Sequence, residues 1–173
     1  NYFLNKCIFD EIWLVISPQN PLKKNLDILN IYERIKIIKK SISNKKKIKI
    51  CLDELKLPKP NYTISTLQFF EKTYSKNKFK IILGEDNLHS FKKWKNSAEI
   101  LENFSIYVYP RNEKIDVGDF IIHNNLKILR NAPKIDVSST KIRDYISKGI
   151  DVKKYLPKES FEYIIKNKYF IKS

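Results

Sequence analysis

The sequence predicts an α/β fold of the doubly wound, Rossmann-like type, in which a parallel sheet is covered by helices on both faces. Short apolar runs alternate with segments of helical periodicity along the whole chain. The runs are nearly continuous, as from Ile12 to Ile16, which is typical of strands buried on both faces of a parallel sheet. Because ligands bind at the carboxyl ends of such strands, the residues that follow each run are the first candidates for a site.

Five apolar runs are the strand candidates, at residues 12–16, 48–52, 80–83, 106–109 and, more weakly, 127–129. Several of them end in residues that turn the chain. Pro18 follows the first run, Gly84 the third and Pro110 the fourth. These positions mark one edge of the predicted sheet.

Helical periodicity occupies the segments between the runs. Isoleucines recur at helical spacing from Ile28 to Ile42, which predicts a helix over residues 27–43. Trp94 lies in a polar region that we also expect to be helical. Further helices are predicted at residues 1–8, 62–76, 138–149 and 157–166, the last with Pro157 in its first turn.

Composition indicates one globular domain over residues 1–173. The net charge is +15, but the lysines are scattered, whereas a nucleic-acid surface gathers basic and aromatic residues on one face. We therefore expect no nucleic-acid partner, and the same charge would attract a phosphate-rich small substrate.

No signal peptide or long apolar span is visible, and Cys7 and Cys51 form no disulfide pattern, so we expect a cytoplasmic protein without a membrane partner. The oligomeric state is left open, a homo-oligomer included.

Residues 138–143, Ser-Ser-Thr-Lys-Ile-Arg, resemble the start of a helix that could bind an anion. Hydroxyl residues suit a helix N-terminus, where they accept hydrogen bonds from backbone N–H groups that have no partner within the helix. The positive end of the helix dipole attracts anions, and Arg143 adds a planar fork suited to phosphate. Taken alone, the segment fits an ordinary serine-capped helix with a surface arginine slightly better.

Four segments, in order, resemble signatures of bacterial nicotinate-nucleotide adenylyltransferases, members of the nucleotidyltransferase superfamily. Residues 138–143 resemble the superfamily signature I-S-S-T-x-I-R. Residues 61–67 are similar to S-Y-T-x-D-T-L, and residues 84–88 followed by Trp94 are similar to G-x-D-x-L and W. Residues 156–170 are similar to the closing L-P-x-x-V-x-x-Y-I-x-x-x-x-L-Y. The matches run over nearly the whole chain, which makes the resemblance specific.

The resemblance implies a phosphate-binding set. Ser138, Ser139, Thr140 and Arg143 would face the ATP phosphates, with Arg143 and Ser139 as catalytic residues. Lys23 would also approach phosphate, because it matches the basic residue that closes the P-P-H-K loop of the family.

The resemblance also implies a set that binds the second substrate. Thr63 would hydrogen-bond the nicotinate carboxylate, Trp94 would stack on the pyridine ring, and Asp86 would hold a ribose hydroxyl. Leu22 replaces the histidine that the family usually has before Lys23, so the polar role of that position is lost.

A larger departure concerns the first signature of the family, G-x-F-x-P-x-H-x-G-H, which does not occur in the chain. In the family it lies on the central first strand and carries two histidines that stabilise the transferring phosphate. The chain contains no methionine. We therefore expect that translation starts upstream of Asn1 and that the missing strand lies there, because its two neighbours would otherwise keep unpaired edges in the core.

The implied reaction transfers AMP from ATP to nicotinate mononucleotide, giving deamido-NAD and pyrophosphate. Mg²⁺ would accompany ATP, held by phosphate oxygens and water rather than by a protein metal site. The isolated His89 and His123 suggest no such site. The alternatives are a related enzyme that acts on pantetheine phosphate, an inactive truncated homologue, and a basic nucleic-acid-binding module. Trp94 and the Tyr62-Thr63 pair favour a pyridine acid over pantetheine.

Overall fold

A computed structural model describes residues 2–6, 8–18, 29–110, 123–134 and 137–171, apart from the side chain of His89. The chain divides into two compact units. Unit 1 comprises Asn1–Pro18, Asn25–Lys56 and Val137–Ser173, and unit 2 comprises Gln19–Lys24 and Leu57–Asp136. The single domain predicted for residues 1–173 stays a prediction.

The described part of unit 1 contains a two-stranded parallel sheet with helices. Its elements are α1 (Tyr2–Asn5), β1 (Ile12–Val15), α2 (Ile31–Ser41), β2 (Ile48–Cys51), α6 (Ser139–Ser147) and α7 (Lys158–Lys166), with 3-10 helices at Asp53–Lys56 and Lys153–Tyr155. β1 pairs with β2 with Ile12 opposite Ile48. Helix α2 packs against α7, and a small apolar core forms around Ile146, Val152 and Ile164.

The described part of unit 2 is built on a three-stranded parallel sheet. Its elements are α3 (Thr63–Thr73), β3 (Ile81–Gly84), α4 (Glu85–Phe91), α5 (Ser97–Asn103), β4 (Ile106–Tyr109) and β5 (Leu126–Ile128). Strand β4 lies in the middle and pairs with β3 and β5. Ile106 and Val108 of β4 are fully buried, and they join a core to which α3, α4 and α5 each contribute. The α/β prediction with parallel strands is thus confirmed.

The strand predictions agree with the structure to within one residue at each end. The burial predicted for the first strand is wrong, since all of β1 is half-buried. Among the described strands, β1 has β2 as its one neighbour, and β3 has β4 as its one neighbour. The central strand expected from the family resemblance stays a prediction.

Three helix predictions need correction. The helix predicted from residue 27 begins at Ile31, because Asn30 is its N-cap and its side-chain oxygen accepts a hydrogen bond from the backbone N–H of Glu33 at 3.0 Å. Trp94 is not helical, since it lies in the turn between α4 and α5. Pro157 caps α7 rather than forming its first turn.

Cys51 is buried as expected, and Cys7 lies outside the described residues.

Candidate active site

The first turn of α6 has the geometry of an anion-binding helix start. Ser138 is the N-cap, and its Oγ accepts a hydrogen bond from the backbone N–H of Lys141 at 3.1 Å. The Ser138 carbonyl accepts the first intrahelical bond from Ile142 at 2.9 Å. Ser139 and Thr140 are exposed. Backbone N–H groups at the first positions of a helix have no partner within it, so the start of α6 offers donors to an anion.

Arg143 lies one turn into α6 and faces the same hydroxyl-rich turn. Its Nη2 donates a hydrogen bond to Thr140 Oγ1 at 3.2 Å, and its Cζ lies 5.9 Å from the centroid of the Phe170 ring. Arg143 as a whole residue is half-buried, and its hydrogen bond to Thr140 is exposed. The structure therefore brings Ser138, Thr140 and Arg143 together at one helix end. Lys23 and Leu22 lie outside the described residues.

The residues expected to bind the second substrate all lie in unit 2. Thr63 is the first residue of α3 and is half-buried, and Asp86 is exposed in the first turn of α4, directly after β3. Trp94 packs on Phe91, with their ring centroids 5.4 Å apart and the rings inclined by 50°. The apolar core beneath Trp94 thus holds its ring from one side.

A pocket of about 320 Å³ lies beside the start of α3. Its wall includes Tyr62, which precedes Thr63, and Lys95, which follows Trp94. Lys95 Nζ lies 4.4 Å from the centroid of the Tyr62 ring, a cation–π distance. The chain neighbours of Thr63 and Trp94 are therefore in contact, which brings the two segments together. Lys95 is not among the site residues predicted from the sequence. Its position next to Trp94, the predicted stacking residue, is the feature of the sequence that could have indicated it.

A metal site built from protein side chains is not found in the described residues, where no three histidine, cysteine or acidic side chains gather. The described helices also include none that is long and apolar enough to cross a bilayer. Among the described residues, the side-chain oxygens at the start of α6 are the hydroxyls of Ser138, Ser139 and Thr140. Such neutral donors suit phosphate better than they suit a bare divalent cation.

Comparison with known proteins first identifies the class of protein to which the chain belongs. The family model described as cytidylyltransferase-like matches residues 6–145, most of the chain. Two solved structures of the Plasmodium falciparum nicotinic acid mononucleotide adenylyltransferase share the fold. The structure complexed with NaAD gives a TM-score of 0.70 at 22% identity, over 93% of this chain and 82% of that one. The structure complexed with APC gives a TM-score of 0.72 at 21% identity, over the same shares of both chains. The class is therefore that of the α/β nucleotidyltransferases.

Relatives of higher sequence identity then identify the family within that class. The chain is 37% identical to the probable nicotinate-nucleotide adenylyltransferase of Flavobacterium psychrophilum, over 99% of this chain and 89% of the relative. It is 40% identical to the protein of the same name from Christiangramia forsetii, over 95% of this chain and 84% of the relative. The chain belongs to the nicotinate-nucleotide adenylyltransferase family.

Proposed function

We propose that this protein transfers AMP from ATP to nicotinate mononucleotide, giving deamido-NAD and pyrophosphate. The observation that carries the proposal is similarity to proteins of that name along almost the whole chain, at 37% identity. The capped start of α6 supports it, and so does the contact between Lys95 and Tyr62, the chain neighbours of Trp94 and Thr63. Pantetheine phosphate, the acceptor of the related enzyme, offers neither an aromatic ring for Trp94 nor a carboxylate for Lys95.

In the proposed reaction, an oxygen of the mononucleotide phosphate attacks the α-phosphorus of ATP. A new P–O bond forms, the bond from the α-phosphorus to the bridging oxygen breaks, and pyrophosphate leaves with that electron pair. The nucleophile is already an anion, so the protein needs to position two phosphates and neutralise their charge rather than abstract a proton.

The α6 residues suit this electrostatic task. The hydroxyls of Ser139 and Thr140 and the backbone N–H groups of these two residues donate hydrogen bonds to phosphate oxygens, and Ser138 keeps that turn ordered. Arg143 supplies charge-assisted hydrogen bonds that strengthen as negative charge builds up on the leaving group. Lys23 would add a further positive charge. Mg²⁺ would enter with ATP and take its ligands mainly from phosphate oxygens and water.

The second substrate would be recognised at the start of α3. Thr63 donates a hydrogen bond to the nicotinate carboxylate, Trp94 stacks on the pyridine ring, and Asp86 accepts a hydrogen bond from a ribose hydroxyl. Lys95 places a positive charge near the same pocket, which favours an acid over an amide. Nucleic acid has no role in this proposal. A cytoplasmic location and the oligomeric state stay predictions.

The test measures pyrophosphate release by the full-length protein with ATP and one of three acceptors. We expect rapid release with nicotinate mononucleotide, much slower release with the amide nicotinamide mononucleotide, and none with pantetheine phosphate. Equal rates on the acid and the amide would contradict the carboxylate recognition by Thr63. Release with pantetheine phosphate alone would replace the proposed function with that of the related enzyme.

A further inference from the structure

The Arg143 guanidinium is held from two sides. Thr140 Oγ1 accepts a hydrogen bond from Nη2 at 3.2 Å, and the Phe170 ring lies against the group, with its centroid 5.9 Å from Cζ. Arg143 and Phe170 are both half-buried. A cation within about 6 Å of an aromatic centroid is attracted by the negative face of the ring. A nearby aromatic ring attracts the cation without occupying its N–H groups, and these are the groups that bind phosphate.

The backbone after α7 turns back sharply and carries Phe170 to this position. The N–H of Lys168 donates to the Ile165 carbonyl at 3.0 Å, and the N–H of Tyr169 donates to the Ile164 carbonyl at 3.1 Å. Lys168 and Phe170 have φ values of +53° and +65°. A left-handed backbone is unfavourable for a bulky aromatic residue, so the surrounding contacts must hold it there.

A hydrogen-bonded cluster on α2 supplies those contacts. The hydroxyls of Tyr163 and Tyr169 both donate to Glu33 Oε2, the first at 2.9 Å. Lys36 Nζ donates to the other carboxylate oxygen at 2.9 Å. The hydrogen bond from Tyr169, followed by those from Lys36 and Tyr163, lowers the pKa of Glu33 from 4.5 to about 2, so the carboxylate is charged at neutral pH. The segment that ends in Phe170 is thereby tied to the first turn of α2.

We propose that Phe170 is a positioning residue for Arg143, fixing the guanidinium so that its N–H edge meets an ATP phosphate. The inference rests on the proposed function, because it assigns Arg143 to ATP. It adds the C-terminal segment, through the Glu33–Tyr169 contact, to the structure that orders the phosphate-binding turn. An arginine already held in its binding orientation loses less rotamer freedom when phosphate arrives, which strengthens binding.

The first test compares Phe170→Leu with two other variants. Leucine keeps an apolar side chain but removes the aromatic face, so we expect the KM for ATP to rise about two- to fivefold while the KM for the mononucleotide stays unchanged. Phe170→Tyr keeps the face and should restore the wild-type KM. Phe161→Leu is the matched control, since Phe161 packs on the same apolar core but lies near Lys153, with Nζ 5.7 Å from its ring centroid.

Combined variants separate positioning from general destabilisation. If Phe170 acts through Arg143, Phe170→Leu adds no further loss in an Arg143→Ala background. Additive losses in the double variant would overturn the proposal. So would equal changes in the KM for ATP in Phe170→Leu and Phe161→Leu, because a purely structural role predicts them.

A second measurement is independent of activity. Ring currents from Phe170 should shift the NMR signal of the Arg143 Nε–H group upfield, and Phe170→Leu should remove that shift while the signals of Arg34, Arg111 and Arg130 stay in place. An unchanged Arg143 signal would overturn the contact. If Phe170→Leu removes the shift but the wild-type protein shows no adenylyl transfer, the contact is supported and the proposed function is rejected.

Discussion

The start of α6 in unit 1 and the start of α3 in unit 2 are ordered by different forces. At α6, Ser138 caps the first turn with its side chain, and Thr140 accepts a hydrogen bond from Arg143. At α3, the N-cap residue Tyr62 makes no side-chain capping bond. That helix is held by burial instead, because Ile64, Leu67 and Phe70 point into the apolar core.

Each region is therefore suited to a different kind of ligand. Hydrogen bonds and a positive charge order the start of α6, and they suit a ligand whose charge matters more than its shape. Apolar packing orders the start of α3 and the Trp94 ring, and it suits a flat ring with one polar group. Substitutions in the two regions should therefore affect different substrates, and the following predictions test that separation.

The largest effect is expected at the charged region. In the proposed reaction Arg143 donates hydrogen bonds to the departing phosphates, so we expect Arg143→Ala to lower kcat about 10²- to 10³-fold. Thermal stability should change little, because the hydrogen bond between Arg143 and Thr140 is exposed. Steady-state kinetics and a melting curve measure the two quantities. Lys148→Ala is the control, since it removes a positive charge from the other end of α6, and equal losses in both variants would contradict a specific phosphate contact.

A smaller effect is expected at the start of α3. Thr63→Val removes the hydroxyl but keeps the branched shape, and a hydrogen bond to a charged group contributes about 1.5–3 kcal/mol. The kcat/KM for nicotinate mononucleotide should fall about 10- to 100-fold, with the KM for ATP unchanged. Thr73→Val, at the exposed end of the same helix, is the control. A rise in the KM for ATP equal to the rise for the mononucleotide would contradict the separation of the two regions.

The smallest effect concerns stability in acid and involves unit 1. Because the pKa of Glu33 falls from 4.5 to about 2 on folding, its charged form stabilises the fold fully above pH 4.5. That contribution should be lost as pH falls from 4.5 toward 2. Denaturant unfolding across this range should show a steeper decline for the wild type than for Glu33→Gln. Glu162→Gln is the control, because Glu162 is exposed and lies 4.0 Å from Lys158. A decline of equal slope in Glu33→Gln and the wild type would contradict the cluster.

The same cluster predicts the opposite behaviour in alkali. The hydrogen bond to Glu33, followed by burial, raises the pKa of Tyr169 above its usual value of 10. A raised tyrosine pKa stabilises the fold below pH 10 and ceases to do so as pH rises through the folded-state value. Loss of stability above pH 10 should accordingly be weaker in Tyr169→Phe, which has no hydroxyl to ionise.

Local patterns explain why so much of the fold was predictable. The strands are predictable to within one residue, because each of them lies on a short apolar run that is visible in the sequence. The cap at Ser138 was predictable for a similar reason, since capping joins residues three positions apart. The start of α2 was missed because isoleucine periodicity continues past the cap at Asn30. Trp94 was misplaced because a turn between two short helices resembles one continuous polar helix.

The order of strands and helices, the family, and the segments that carry its signatures are predictable from the amino-acid sequence. Those properties depend on residue type and on short spacings along the chain. Three contacts are seen only in the folded protein: Phe170 lies near Arg143, Tyr169 reaches Glu33 across 136 positions, and Lys95 meets Tyr62. Such contacts depend on where the whole backbone places residues that are distant in sequence. No local propensity specifies them, which is why the contact between Phe170 and Arg143 becomes visible only in the fold.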